Sequence, residues 1–152
     1  MLFRSWRGWC EVRLLQLFND ADADVRREAA SCFRQLEDEP LEEYEDLITA
    51  FCESAAYEAD SFSILHVLEQ SVRRLPGITC FVCEKFLARF SEDAKDLRTH
   101  RAGDAHMVVK LLFRTYQQHQ SDTWAARCLD LIDRMCLEGI HDVKRGLEEF
   151  ER

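Results

Sequence analysis

Three aspartates at alternate positions have the spacing of metal ligands. Asp20, Asp22 and Asp24 stand in "NDADADVRREAASCF", just before a hydrophobic run. An EF-hand calcium loop uses carboxylates at its first, third and fifth positions, with a glycine sixth and a glutamate twelfth. The chain has Val25 and Ser31 at those last two positions. We therefore interpret the aspartates as the entrance to a helix, with Asp22 or Asp24 as its N-cap, and we predict no calcium site.

Cysteines and histidines form a second set of potential ligands. Cys80 and Cys83 are followed by His100 and His106, which is the ligand order of a zinc finger. The interval between the two pairs is longer than the roughly a dozen residues that a finger uses. The two cysteines also fall within an apolar helical pattern, which favours buried core thiols. Zinc binding by these four residues, or a redox-active cysteine pair, remains the alternative interpretation.

Other signatures of catalysis are absent from the sequence. It contains neither a Gly-x-Ser-x-Gly elbow nor a phosphate-binding glycine loop, and its five histidines are scattered along the chain. We therefore predict a protein without catalytic residues and without a cofactor.

Composition and charge are those of a folded, acidic protein. The chain has 152 residues, of which 47% are hydrophobic and 32% charged, and its formal net charge is -9. This charge disfavours a surface built for nucleic acid. The odd count of seven cysteines is typical of a reducing compartment, and no apolar run is long enough to cross a bilayer. Without a secretory signal at its start, the chain is predicted to be cytoplasmic.

Apolar residues recur at steps of three and four along most of the chain, the period of one helix face. The pattern predicts a short first helix, a fourth helix that ends at Pro76–Gly77, and a late helix that ends at Gly139. The polar residues 91–104 are predicted to form a long loop. No strand pattern interrupts the helices, so we predict an all-α protein. The predicted helices contain Val12–Phe18, Val25–Leu36, Leu41–Cys52, Leu65–Leu75, Ile78–Phe90, Val108–Tyr116, Trp124–Met135 and Val143–Phe150.

The stretch "LLQLFNDADADVRREAASCFRQL" resembles a HEAT repeat. It has an apolar helix, an acidic turn that begins at Asp20, a Val-Arg step that ends at Arg26, an alanine pair and a closing leucine. The resemblance implies that Asp20 and Arg26, with Asp24, form a hydrogen-bonded network that fixes the turn and the stacking of repeats. A shorter echo, "SDTWAARCLDLIDRM", places Asp122 before a second helix of this kind. The implied fold is a right-handed α-solenoid of antiparallel helix pairs over residues 1–152.

The C-terminal stretch "RCLDLIDRMCLEGIHDVKRGLEEFER" resembles the extreme C-terminal end of long bacterial ATP-binding proteins. This second resemblance implies that the chain is a fragment of a larger polypeptide whose NTPase module lies elsewhere. The apolar start, with Leu2, Phe3, Trp6 and Trp9, is then the cut edge of a solenoid. The alternative is that both tryptophans pack on the first helix pair.

The predicted function is a non-catalytic scaffold that binds a protein or an adjoining domain through one face of its stacked helices. Two alternatives remain. One is a HEAT-like DNA glycosylase, for which Lys95, Arg98, Arg101 and the pair Arg73–Arg74 are the basic residues of a channel. The other is a small metal-binding domain built around the cysteine pair.

Overall fold

The computed structural model describes residues 2–71, 75–90, 102–140 and 142–150, and in these ranges the regular structure is entirely helical. The all-α prediction is confirmed. The contacts group into two compact units, Met1–Val67 and Leu68–Arg152, which we describe separately. The α-helices are α1 (Leu2–Phe18), α2 (Ala23–Ser31), α3 (Glu45–Glu53), α4 (Ala55–Ala59), α5 (Phe62–Gln70), α6 (Pro76–Phe90), α7 (Ala102–Gln118), α8 (Thr123–Leu137) and α9 (Asp142–Phe150), and 3₁₀ helices cover Cys32–Leu36 and Leu41–Tyr44.

Four aromatic side chains from separate elements form the core of the first unit. Phe18 of α1, Phe33 of the first 3₁₀ helix, Phe51 of α3 and Tyr57 of α4 are all fully buried. The ring centroids of Phe33 and Phe51 are 4.6 Å apart, and those of Phe51 and Tyr57 are 5.5 Å apart in an edge-to-face arrangement. Such pairs contribute about 0.5–1.5 kcal/mol each beyond the burial of their area. The cluster therefore joins four separate elements of the first unit.

Alternate helices contact each other in both units. In the first unit α1 packs on α2 and α3, while α4 packs on α2 and α3, with a smaller contact to α1. In the second unit α6 packs on α7 and α8, α7 packs on α8, and α9 packs on α7 and, less extensively, on α8. Among the described residues, no extensive contact joins α6 to α9.

Three sequence predictions about helix boundaries are wrong. The first helix is not short but begins at Leu2, because its apolar residues lie on several faces and leave no clear stripe. Pro76 begins α6 instead of ending the helix before it, since a proline in the first turn lacks only an amide that has no helical partner. Residues 102–104 of the predicted loop form the first turn of α7, with Asp104 buried; residues 91–101 lie outside the described residues.

The end of α8 agrees with the sequence prediction. Gly139 adopts a φ of 71°, and its N–H donates to the carbonyl of Cys136. The N–H of Ile140 donates to the carbonyl of Met135, which completes a Schellman motif. Within the described ranges, no helix is long and apolar enough to cross a membrane.

The contact between α7 and α9 requires a glycine. A Cβ atom at Gly146 would lie 2.8 Å from Cγ1 of Val109 and 3.0 Å from the ring of Phe113. We expect Gly146→Ala to lower the free energy of unfolding by about 1 kcal/mol, because the clash outweighs the helix propensity of alanine. Urea denaturation followed by circular dichroism measures this change.

Gly103→Ala is the matched control on α7. A Cβ atom at Gly103 meets nothing within 4 Å. The control should leave stability unchanged or raise it by up to about 1 kcal/mol. Equal effects of the two substitutions would contradict the packing that we describe.

Candidate functional site

Two of the three aspartates that resemble calcium ligands accept hydrogen bonds from backbone amides. Oδ1 of Asp20 accepts a hydrogen bond from the N–H of Asp22 at 2.9 Å, and Oδ1 of Asp22 accepts one from the N–H of Asp24 at 2.8 Å. Asp22 is therefore the N-cap of α2, the first of the two residues that the sequence allowed. The carboxylate of Asp24 pairs instead with Arg27 at 2.7 Å. The three carboxylates serve three local partners.

Arg26 stabilises the turn between α1 and α2 by binding its carbonyl groups. Its Nη1 donates to the carbonyl of Asp20 at 2.6 Å and to the carbonyl of Ala21 at 3.0 Å. These two carbonyls lie between the helices, where a helical hydrogen bond cannot reach them. Asp20 and Arg26 thus contribute to the same turn, whereas the carboxylate of Asp24 forms an ion pair with Arg27.

The shorter echo of the repeat has the same cap. Asp122 is the N-cap of α8, and its Oδ1 accepts from the N–H of Trp124 at 2.9 Å. Its other oxygen lies 2.8 Å from Nδ1 of His119. Asp22 and Asp122 therefore perform the same task before two different helices, although Ala126 stands at the position of α8 that corresponds to Arg26.

The potential zinc ligands are not brought together in the described residues. Cys80 and Cys83 are buried on α6, His106 lies on α7, and His100 lies outside the described residues. Over the described part of the chain, no group of three or more histidine, cysteine or acidic side chains could hold a metal ion. All seven cysteines are free thiols, and Cys10 and Cys136 are exposed, which the expectation of buried cysteines did not anticipate.

The structure pairs Cys80 with a cysteine that the sequence did not single out. Its Sγ lies 3.7 Å from Sγ of Cys128 on α8, and both thiols are buried. The hydrogen bond between the two thiols lowers the pKa of Cys80 more than burial raises it, and the same bond and burial raise the pKa of Cys128. In contrast, burial raises the pKa of Cys32 to about 11. Cys128 occupies a core position in the apolar stripe of α8, so its spacing alone indicates only burial.

An ion pair accompanies the two thiols across the same helices. Arg127 of α8 donates a short hydrogen bond to Glu84 of α6. The guanidinium helps to lower the pKa of Cys80, and Glu84 opposes this effect. The contact between α6 and α8 therefore combines a buried thiol pair with a more exposed ion pair.

A small cleft lies between α7 and α9. It has a volume of about 190 Å³, and Lys110 and Arg114 of α7 face Glu149 of α9 across it. Nζ of Lys110 lies 2.5 Å from Oε1 of Glu69, and Nη1 of Arg114 donates to the carbonyl of Glu69 at 2.9 Å. Because both cations already have an acidic partner, the cleft does not present an excess of positive charge.

The position of the basic residues that suggested a glycosylase channel leaves that prediction untested. Lys95, Arg98, Arg101 and the pair Arg73–Arg74 lie outside the described residues. Comparison of the chain with protein-family models, curated proteins and solved structures finds no match.

Arg26→Ala should lower the free energy of unfolding by about 1–3 kcal/mol, because two carbonyls of the turn would lose a charged hydrogen-bond donor. Urea denaturation of the full chain measures the change. Arg27→Ala is the matched control, since its exposed ion pair with Asp24 contributes about 0.5 kcal/mol or less. Equal losses in the two variants would refute a special role of Arg26 in the turn.

The ionisation of Glu69 should make the stability of the protein depend on pH. The hydrogen bond from Lys110 and the nearby Arg114 lower its pKa below the ordinary value of 4.5, although burial opposes this. A carboxylate whose pKa is lowered by folding stabilises the protein above its unfolded pKa, and this contribution disappears as the pH falls through the folded pKa. We expect Glu69→Gln to reduce stability at neutral pH and to converge with the parent chain below about pH 4.

Unfolding in urea across this pH range measures the effect, and Lys110→Gln should reproduce much of it because it removes the main partner. A stability difference between Glu69→Gln and the parent that is the same at every pH would show that the ion pair is not its cause.

Proposed function

We propose that this chain is a non-catalytic scaffold of HEAT-like repeats, a right-handed α-solenoid of antiparallel helix pairs that binds another protein. The observation that carries the proposal is the packing of each helix on the next but one. In an antiparallel four-helix bundle, the main contacts join neighbours around a closed ring, including the first helix and the fourth. In a solenoid, alternate helices stack in two layers instead.

Both units support the stacked arrangement. α1 with α3 and α2 with α4 form two layers in the first unit, and α6 with α8 and α7 with α9 do so in the second. In the α6–α8 contact, Gly77 lies against Trp124 and Cys80 lies against Cys128. These contacts between α6 and α8 support the stacking of alternate helices in the second unit. The capped turn with Asp20 and Arg26 adds a repeat-like connection.

The binding surface that we propose is the α1 face, formed by Trp9, Val12 and Leu15. These side chains are 63%, 58% and 39% exposed, although each is apolar and they follow one another at steps of three along the helix. Neighbouring large apolar side chains that stay exposed are typical of interaction sites. The α1 face therefore offers apolar area to a partner helix.

The charges in the sequence of α1 support an acidic partner. α1 contains three arginines, Arg4, Arg7 and Arg13, and a single acidic residue, Glu11, in a chain whose net charge is -9. A basic helix on an acidic protein attracts an acidic segment and repels basic ones. The partner that we propose is an amphipathic helix of another protein, with apolar residues on one face and acidic residues beside them. The seven free thiols fit a reducing, cytoplasmic setting for this interaction.

A synthetic peptide tests the α1 face directly. A helical peptide of about 18 residues, with leucines at helical spacing and flanking glutamates, should bind the full chain with a micromolar Kd. Fluorescence anisotropy of the labelled peptide measures the affinity. The double variant Trp9→Ser, Val12→Ser should weaken binding at least about tenfold, because it removes the two most exposed apolar side chains of the α1 face.

Two controls distinguish this interaction from nonspecific hydrophobic binding. Leu137→Ser, which changes an even more exposed leucine on α8, should leave the affinity unchanged. A peptide with lysines in place of the glutamates should bind much more weakly. Equal binding of both peptides would overturn the charge argument. Concentration-dependent dimerisation of the chain that disappears in the double variant would show that the α1 face binds a second copy instead.

A further inference from the structure

We propose that Cys80 and Cys128 are a modification site, at which hydrogen peroxide forms an intramolecular disulfide that joins α6 to α8. The two sulfur atoms are 3.7 Å apart, which is close to their van der Waals contact. They belong to different helices and are 48 positions apart in the chain. This inference rests on the α6–α8 contact and is independent of the proposed binding function.

The α6–α8 contact favours a bond between these two cysteines. One turn before Cys80, Gly77 of α6 lies beside the ring of Trp124 of α8, and a Cβ atom there would be 3.5 Å from that ring. One turn after Cys80, Glu84 pairs with Arg127 of α8. These two contacts place α8 beside the segment of α6 that contains Cys80. A disulfide requires the sulfurs to approach to about 2.05 Å, a movement that rotation of the two side chains with a small shift of the helices can supply.

The groups around Cys80 favour it as the thiol that reacts first. The thiolate is the reactive form of cysteine, and nearby positive charge stabilises it. The contact with Cys128 and the charge of Arg127 lower the pKa of Cys80, although Glu84 opposes them, whereas the pKa of Cys128 is raised. Together with the 3.7 Å contact, this difference favours the thiolate of Cys80. Cys80 is 2% exposed and Cys128 is 0% exposed, so the oxidant must be small and must enter through local opening of the helices.

The reaction requires one molecule of hydrogen peroxide. The Cys80 thiolate attacks one peroxide oxygen, the O–O bond breaks, and the departing hydroxide takes a proton to become water. This step leaves a sulfenic acid on Cys80. Cys128 then attacks the sulfur of that sulfenic acid, the S–O bond breaks, and the proton of Cys128 leaves with the hydroxide as a second water. Two thiols are oxidised to one disulfide, and the peroxide is reduced to two waters.

The test uses the full chain with Cys10→Ser and Cys136→Ser, because these exposed thiols could otherwise link separate molecules. The folded protein is treated with hydrogen peroxide, the remaining thiols are alkylated, and the chain is digested without reduction. Mass spectrometry should identify one linked peptide that joins Cys80 to Cys128. Closure of a loop of this length should raise Tm by about 10 °C, and dithiothreitol should reverse the rise.

Matched variants distinguish this bond from other oxidation products. Cys83→Ser, one turn further along α6, should keep the linked peptide and the rise in Tm. Cys80→Ser and Cys128→Ser should lose both, and Cys80→Ala, checked by circular dichroism, covers the case in which a buried serine disturbs folding. A link that contains Cys83, oxidation of Cys80 to sulfinic acid without a link, or a Tm that peroxide does not raise would each overturn the proposal.

Discussion

The structure depends on the burial of apolar helix stripes, because its helices are too short to be stable alone. Isolated helices of fewer than about 12–15 residues are marginal in water, and five of the nine described α-helices have nine residues or fewer. Each must therefore cover an apolar face with a neighbour. The aromatic cluster of Phe18, Phe33, Phe51 and Tyr57 does this for the first unit. In the second unit the same demand brings Cys80 and Cys128 into contact.

This constraint also explains why the polar residues with the most suggestive spacing do not assemble into a metal site. Short helices have many ends, and every end leaves amides or carbonyls that require partners. Asp20, Asp22 and Asp122 accept hydrogen bonds from such amides, while Arg26 donates to carbonyls. Among the described residues, no three or more such side chains come together in a way that could hold a metal ion. The acidic turn is therefore used for folding.

The scaffold that we propose would act through a surface, and the described surface is uneven. The α1 face is apolar, and the sequence of its helix contains three arginines, although the chain as a whole is acidic. The cleft beside α7 has cations, but Glu69 already pairs with them. The exposed apolar side chains of the α1 face are therefore the feature of the described surface on which the proposed binding site is based.

The sequence by itself determined the helical class, the cap before α2 to within two candidates and the glycine that ends α8. These features are local, because a helix period, an N-cap and a left-handed glycine each depend on residues within a few positions. The sequence pattern predicted the wrong start for α1, because this helix lacks a clear apolar stripe. It also predicted the wrong role for Pro76, because a proline before a glycine resembles a helix end. Such boundaries depend on the tertiary contacts of the helix.

Only the tertiary structure decided which distant residues meet. The spacing of Cys80 and Cys83 suggested a pair within one helix, yet the partner of Cys80 is Cys128, 48 positions later. The fit of Gly146 against Val109 and Phe113, and the pairing of Glu69 with Lys110, are likewise invisible in the linear pattern. The periodicity of a helix specifies that one face is buried, but it carries no information about which other helix will cover that face.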